Sequence, residues 1–387
     1  MNPPRVLCYV QHLMGIGHQR RMAAISRELC AQGALVTYVS GGFPLADLDP
    51  GPVRFVQLPP ARAADLSYKQ LVDLQGEPVD DTWRQQRREM LLDTYRDAQP
   101  DALVIETFPF GRRMLRFELL PLLEAARGRA QRPVIICSAR DIIEHRGCSE
   151  RSAEILDYVQ RYFDLVLVHG DPRFVPFDHS FPPAAAITEK IRYTGYVMYA
   201  PPAAQPLGTT GNGEVLVSAG GGAYGEHVLR AALKARPLSN LAACTWRILV
   251  GGNIGEDGFR ALRSHTRTGV IVERNRSDFP VLLRNCRLSI SQGGYNTVLE
   301  ILNAGARAVI VPYQDEREKE QAVRAELLAE GGFVNVVADK QLSADTLAAA
   351  IDRADTRAPP LAGVIDTTGA KRSARIISDT VARQNAE

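Results

Sequence analysis

Two stretches decide how this chain folds: residues 6–29, VLCYVQHLMGIGHQRRMAAISREL, and residues 214–235, EVLVSAGGGAYGEHVLRAALKA. Each passes from an apolar β-like run, through a glycine-rich turn, into a helical pattern, the opening of a βαβ unit. Further strand candidates follow each one. In the first half the candidates are 5–11, 34–40, 53–57, 102–106, 134–137 and 165–169; in the second they are 214–218, 246–250, 270–273, 288–291, 308–311 and 333–337. Strands alternating with helices predict parallel sheets. The expected fold class is α/β: two Rossmann-like doubly wound domains facing across a cleft, because ligands bind outside the carboxyl ends of such strands.

A length of 387 residues favours two cores over one, and 45% hydrophobic with 23% charged residues is an ordinary globular balance. The pattern breaks near 193–195, and the Pro/Gly-rich run 201–213 reads as a linker. The expected division is a first domain over 1–200, a second over 214–365, and a last helix within 366–387 that crosses back to the first. Charge density in 80–96 predicts a solvated helix. A net charge of +2 gives no reason to expect a nucleic-acid partner. The cysteines (Cys8, Cys30, Cys137, Cys148, Cys244 and Cys286) form no C-x-x-C pair, and the N-terminus lacks the apolar core of a signal peptide. Reduced thiols and a cytoplasmic location are expected, with any membrane contact peripheral.

Gly220, Gly221, Gly222 and Gly225 lie between a strand and a helix, where the backbone can approach a phosphate and the helix start offers unpaired N–H groups. A tight turn without a ligand is the plainer reading of the same glycines. A dinucleotide enzyme would place an acidic residue at the tip of the second strand. The tips here read Val39-Ser40-Gly41-Gly42 and Val250-Gly251-Gly252-Asn253, which disfavours it. The stretch 288–330, LSISQGGYNTVLEILNAGARAVIVPYQDEREKEQAVRAELLAE, carries most information. A strand ends at Ser291, Gly293 and Gly294 turn the chain, and a helix begins near Tyr295. Glu300 sits within an apolar run, where a carboxylate needs a partner; ribose hydroxyls would serve, as would an ion pair or solvent.

Those residues resemble family 28 glycosyltransferases of the glycosyltransferase-B fold. The match rests on Ser291-Gln-Gly-Gly-Tyr-Asn-Thr-Val-Leu-Glu300, then Ala304-Gly305, Val311-Pro312 and Glu320-Gln321, with Gly15-Ile-Gly17-His18 similar to the family's N-terminal loop. The resemblance implies donor-diphosphate contacts at Gly220–Gly222, Gly293 and Gly294, with Asn296 and Thr297 in the same turn. It implies Glu300 on the ribose, Glu320 and Gln321 at the donor sugar, and the loop 275–278 at the nucleobase. A UDP-sugar is the expected donor; Arg276 stands where a family member has an aliphatic residue, which leaves deoxythymidine and guanosine donors open. No cofactor is expected. Asp47-Leu-Asp49 spells a metal-binding Asp-x-Asp but lies in a Pro/Gly loop, so a turn is expected there and no metal site.

His18 follows the first glycine loop, Gly15 and Gly17, at the expected ligand edge, and can accept a proton from an acceptor hydroxyl. Glu106 and Asp141, each at or just past a strand end, are the other candidate bases. Residues 108–117 mix aromatics with Arg112, Arg113 and Arg116, either a patch for anionic lipid or phosphorylated acceptor, or an ordinary helix start. The expected function is inverting, metal-independent sugar transfer from a nucleotide diphosphate to a hydroxyl of a sugar, lipid-linked or small-molecule acceptor. A nucleotide-sugar hydrolase and a silent nucleotide-sugar binding protein remain alternatives at this level.

Overall fold

The computed structural model describes residues 3–13, 15–65, 70–143, 149–199, 208–219, 225–252, 254–314 and 319–386. The chain divides into two compact units, Met1–Pro201 with Thr367–Glu387, and Pro202–Asp366. The linker read over 201–213 lies outside the described residues up to residue 207.

The first unit runs β1 (Arg5–Val10), α1 (Gly17–Ala31), β2 (Leu35–Ser40), β3 (Arg54–Gln57), a hairpin β4 (Arg62–Ala63) and β5 (Leu71–Val72), α2 (Asp81–Ala98), β6 (Ala102–Glu106), α3 (Arg116–Arg127), β7 (Val134–Arg140), α4 (Ser149–Tyr162), β8 (Leu165–His169), α5 (Phe177–Ser180) and β9 (Ile191–Tyr193). Its sheet has the order β3-β2-β1-β6-β7-β8-β9, parallel throughout. Alternation along β1 serves both faces. Leu7 and Tyr9 enter one core with Leu91, Leu119 and Leu122, while Val6, Cys8 and Val10 enter the other with Met22, Ile25 and Leu29 of α1. Cys8 behaves there as a small hydrophobe.

The second unit runs β10 (Val215–Ser218), α6 (Glu226–Ala235), β11 (Trp246–Val250), α7 (Glu256–Arg263), β12 (Val270–Arg274), α8 (Phe279–Asn285), β13 (Leu288–Ser291), α9 (Tyr295–Ala304), β14 (Ala308–Ile310), α10 (Glu320–Glu330), β15 (Asn335–Val336) and α11 (Ala344–Thr356). Its strands lie in the order β12-β11-β10-β13-β14-β15, again all parallel. In each sheet the order reverses beside the first strand, which is where a doubly wound fold opens its ligand crevice.

The last helix, α12 (Gly369–Gln384), packs on α1 and places Ala374, Ile377 and Val381 in the core beside Met22 and Ile25. Gly369 starts it because a Cβ there would lie 2.4 Å from the Gly195 carbonyl oxygen.

One expectation needs correction. The helix over 80–96 is not merely solvated: α2 buries Arg87, Leu91, Thr94 and Tyr95. Arg87 is fully buried because its charge is matched, Nε donating to Glu118 Oε2 at 2.6 Å and Nη2 to Glu118 Oε1 at 2.9 Å and Gln11 Oε1 at 2.7 Å. Of the two readings left open for 108–117, the structure favours the helix start. Phe108 and Phe110 are buried, Phe110 edge-on to Phe177 and Phe181, and Arg116 pairs with Glu154. Among the described residues no helix is long and apolar enough to cross a membrane.

Candidate active site

In the first unit, the loops after β1 and β6 diverge at the reversal point, so α1 begins beside the end of β6. This joins two residues 88 apart in sequence: His18 Nδ1 lies 2.8 Å from Glu106 Oε1. Arg21, one turn along α1, donates through Nη2 to the same oxygen, and Thr107 Oγ1 donates to Glu106 Oε2 at 2.6 Å. Glu106 is wholly buried. Burial alone would raise its carboxyl, but the His18 ring and the Arg21 guanidinium outweigh that and hold it well below the usual carboxylate range.

His18 is pushed down to about 3, first by burial and further by Arg112 and Arg140, against the pull of Glu106. The cause is physical. Arg21 already balances Glu106, so the imidazole does not face an uncompensated negative charge and stays neutral. Arg21 Nη2 also lies 3.2 Å from Nδ1, but it donates to the carboxylate, the stronger acceptor. Nδ1–H then points at Glu106 and Nε2 keeps its lone pair. With both Glu106 oxygens engaged, Glu106 orients the histidine and is not itself presented to an acceptor.

The turn after Glu106 is strained. Thr107 is β-branched with φ +69° and Arg112 has φ +63°, both in the left-handed region. Gly111 is required there, since a Cβ would meet Thr107 Cγ2 at 2.7 Å. The turn delivers the Thr107 hydroxyl to within 3.3 Å of His18 Nδ1 and lets Arg112 Nε donate to the Gln11 carbonyl at 2.8 Å. Asp141 is fully buried, its Oδ1 accepting from the Ile142 N–H at 2.9 Å. Gly15 precedes α1 and Gly17 is its first residue; the start of this helix has no side-chain cap and no acidic residue in its first turn.

Sequence reasoning missed Arg21, Thr107 and His12, and read Arg112 only as part of 108–117. Arg21 had a signal: three residues after His18, it shares one face of the helix. His12 is buried and pushed down to about 4 by burial and Arg112, and it requires Gly42, where a Cβ would lie 2.1 Å from its Nδ1.

In the second unit, Gly293 has φ +81°, and a Cβ on it would lie 2.5 Å from Ile310 Cγ2; a Cβ on Gly294 meets nothing within 4 Å. Gly294 begins α9, which has no side-chain cap and no acidic residue in its first turn, so its N–H groups and dipole are open to an anion. Tyr295, Asn296, Thr297 and Glu300 are half-buried along this helix.

Glu320 is buried and pairs with Arg324 at 3.0 Å, and the Arg324 guanidinium stacks 4.9 Å over the Tyr295 ring. The start of α10 is thereby tied to the first turn of α9. Gln321 Oε1 accepts from the Tyr313 N–H at 3.2 Å. Gly220, Gly221 and Gly222 lie outside the described residues. Gly225 has a packing reason, since its Cβ would fall 2.1 Å from Ala219 Cβ. Asp47 and Asp49 lie in a turn after β2, where Asp49 Oδ1 accepts from the Gly51 N–H at 2.9 Å and Oδ2 is 3.7 Å from Arg27.

Residues 220–379 match the glycosyltransferase family 28 C-terminal domain. A UDP-N-acetylglucosamine–N-acetylmuramyl-(pentapeptide) pyrophosphoryl-undecaprenol N-acetylglucosamine transferase of Sinorhizobium medicae is 31% identical over 137 residues, 31% of this chain and 37% of that protein. An uncharacterised glycosyltransferase of Methanopyrus kandleri is 26% identical over 167 residues, 43% of this chain and 45% of that one. The chain thus aligns with less than half the length of either.

Among solved structures, the calicheamicin glycosyltransferase CalG4 superposes with a TM-score of 0.61 at 17% identity, covering 99% of this chain and 95% of that chain. Acinetobacter baumannii MurG gives 0.59 at 15%, covering 97% and 100%. The spinosyn rhamnosyltransferase SpnG, complexed with thymidine diphosphate, gives 0.61 at 18%, covering 98% and 96%. At these identities the likeness carries the fold, the pair of Rossmann-like units of the glycosyltransferase-B type. Residues 220–379, most of the second unit and part of the last helix, are thus similar to the C-terminal domain of glycosyltransferase family 28.

Proposed function

We propose that the chain transfers a sugar from a nucleoside diphosphate, UDP in the first instance, to a hydroxyl of a sugar, lipid-linked or small-molecule acceptor, with inversion and without a metal. The observation that carries this reading is His18 held by Glu106, with Nε2 available at the ligand edge of the first sheet. As the acceptor oxygen attacks the anomeric carbon, Nε2 takes its proton and Glu106 stabilises the imidazolium that forms. The bond from the anomeric carbon to the diphosphate breaks, and the oxygen leaves with the electron pair. The open start of α9, with Gly293 and Gly294, is assigned to stabilise that leaving charge, a role a helix N-terminus can fill in place of a metal. Glu300 is assigned to the ribose, and Glu320 and Gln321 to the sugar. Buried, unpaired Cys8 and Cys137 suit a cytoplasmic setting.

The test is kinetic. His18→Ala should lower kcat by about 10²–10⁴-fold while nucleotide affinity, measured by calorimetry, stays near wild type. His18→Gln should not restore the rate, because its amide cannot take the proton. Turnover should survive EDTA. Near-wild-type kcat in both folded variants would remove His18 as the base, and activity lost on chelation and regained with magnesium or manganese would overturn the metal-free reading. Fast release of free sugar in the absence of any acceptor would convert the assignment to a hydrolase.

A further inference from the structure

The turn that follows Glu106 contains a residue type poorly suited to its backbone. Thr107 has φ +69°, a left-handed conformation that a β-branched side chain resists. Backbone bonds and packing hold it there. Its N–H donates to the Ser138 carbonyl at 2.8 Å, and the Gly111 N–H donates to its own carbonyl at 3.1 Å. Phe108 is buried and stacks on Tyr158 with ring centroids 5.7 Å apart, while Arg112 fastens the far end of the turn to the Gln11 carbonyl. Glycine at residue 107 would relieve the conformation without the loss of any of these contacts. Strain of this kind clusters at active sites, where the side chain that bears it is used.

What threonine adds is its hydroxyl. Glu106 is fully buried, and its two oxygens have different partners: Oε1 takes His18 and Arg21, and Oε2 takes Thr107 Oγ1 at 2.6 Å. Partners on Oε1 alone would leave the carboxylate able to turn about its own axis; a donor on Oε2 fixes the plane of the group. A hydroxyl bonded to a charged oxygen is the stronger kind of hydrogen bond, and without it Oε2 would be a buried acceptor left unsatisfied. The same Oγ1 lies 3.3 Å from His18 Nδ1, beside the bond between the histidine and Glu106.

We propose that Thr107 is a positioning residue for the transfer. Its hydroxyl holds the Glu106 carboxylate in the orientation that keeps His18 Nδ1–H on Oε1 and Nε2 directed at the acceptor hydroxyl. Thr107 acts through Glu106 rather than on the reacting atoms, and the inference rests on His18 as the base.

Three substitutions separate the hydroxyl from the shape. Thr107→Val keeps the β-branch and removes the hydroxyl, Thr107→Ser keeps the hydroxyl, and Thr107→Gly removes both. On a UDP-sugar that the wild type turns over, Thr107→Val and Thr107→Gly should lower kcat by about 10- to 100-fold, the scale for losing a group that orients a catalytic side chain, with nucleotide affinity unchanged. Thr107→Ser should recover most of the rate. A second measurement needs no substrate: NMR spectra of the histidine ring nitrogens in the full chain, with the His18 signals identified by their loss in His18→Ala. Wild type and Thr107→Ser should show a neutral ring with its proton on Nδ1, and Thr107→Val and Thr107→Gly a displaced Nδ1–H signal. Near-wild-type kcat in Thr107→Val and Thr107→Gly beside a slow His18→Ala would overturn this inference alone. Thr107→Ser as slow as Thr107→Val, or ring spectra unchanged in Thr107→Val and Thr107→Gly, would overturn it too. Undiminished kcat in His18→Ala would instead remove the base, and this inference with it. If Thr107→Val does not fold, the comparison of Thr107→Gly with Thr107→Ser still decides.

Discussion

At the scale of single residues, the arrangement to explain is a buried carboxylate that holds a histidine without charging it. Arg21 neutralises Glu106, so the carboxylate can orient the His18 ring while burial keeps the ring deprotonated. A neutral imidazole is a ready acceptor, and the proton it gains is stabilised only as the reaction supplies it. Glu106→Gln should therefore lower kcat by about 10²-fold or more, since the amide cannot stabilise imidazolium. It should also lower the melting temperature, because breaking a buried ion pair leaves Arg21 uncompensated at about 3–5 kcal/mol. Nucleotide affinity, measured well below that temperature, should not change.

Because His18 is held at about 3, the base form persists well below pH 6.5. A plot of kcat/KM against pH should pass through 6.5 without an inflection belonging to His18. An acid limb centred there, absent in His18→Ala, would show that the ring titrates as an exposed histidine. The histidine was visible in Gly15-Ile-Gly17-His18 as a residue at a strand–glycine–helix edge. Its partner Glu106 was visible only as a separate candidate, because no spacing rule joins residues 18 and 106.

At the scale of elements, α9 carries the proposed donor site, and its two glycines have different duties. Gly293 needs its left-handed φ of +81° and has no room for a methyl beside Ile310, whereas Gly294 has an ordinary backbone and open space before it. Gly293→Ala should destabilise the protein by about 1–3 kcal/mol in urea unfolding, through strain and crowding. Gly294→Ala should unfold near the wild-type midpoint, yet bind nucleoside diphosphate more weakly, because the methyl projects toward the phosphates. Equal losses of stability in the two variants would contradict the geometry, and undiminished nucleotide binding by Gly294→Ala would move the phosphates off this turn. The glycine pair reads directly from the sequence. Which glycine is conformational and which keeps an approach clear depends on Ile310, which lies on the neighbouring strand.

At the scale of the whole molecule, buried His12 and His169 and partly buried His18 link stability to pH. His12 is held at about 4, and His18 and His169 at about 3, with burial the leading cause in each. His169 lies between Ser138 Oγ at 2.8 Å and Thr194 Oγ1 at 2.9 Å. All three are depressed below the 6.5 of an exposed imidazole, so the unfolded chain takes up these protons first as pH falls. Their contribution is complete above about pH 6.5 and drains as pH drops toward 3, by up to about 1.4 kcal/mol per pH unit for each histidine. Urea midpoints measured from pH 7 to 4 should fall accordingly, and His169→Asn should flatten the slope. A slope unchanged by that substitution would show that His169 is not buried neutral in the native state.

What the sequence determined by itself was everything with a short period. Alternating apolar runs, glycine turns and helical spacing marked the six strands of the second sheet and six of the seven in the first, because two- and three-to-four-residue periods are local consequences of backbone geometry. The seventh, β9, and the hairpin of β4 and β5, two or three residues each, were not marked by any such run. Composition misread α2: a charged helix looks solvated until Glu118, 31 residues from Arg87, is found beneath it. The tertiary structure alone decided which charges meet. The pairings of His18 with Glu106, Arg87 with Glu118 and Arg324 with the ring of Tyr295 are set by strand order and helix packing, and a parallel sheet brings together residues whose distance along the chain carries no signal.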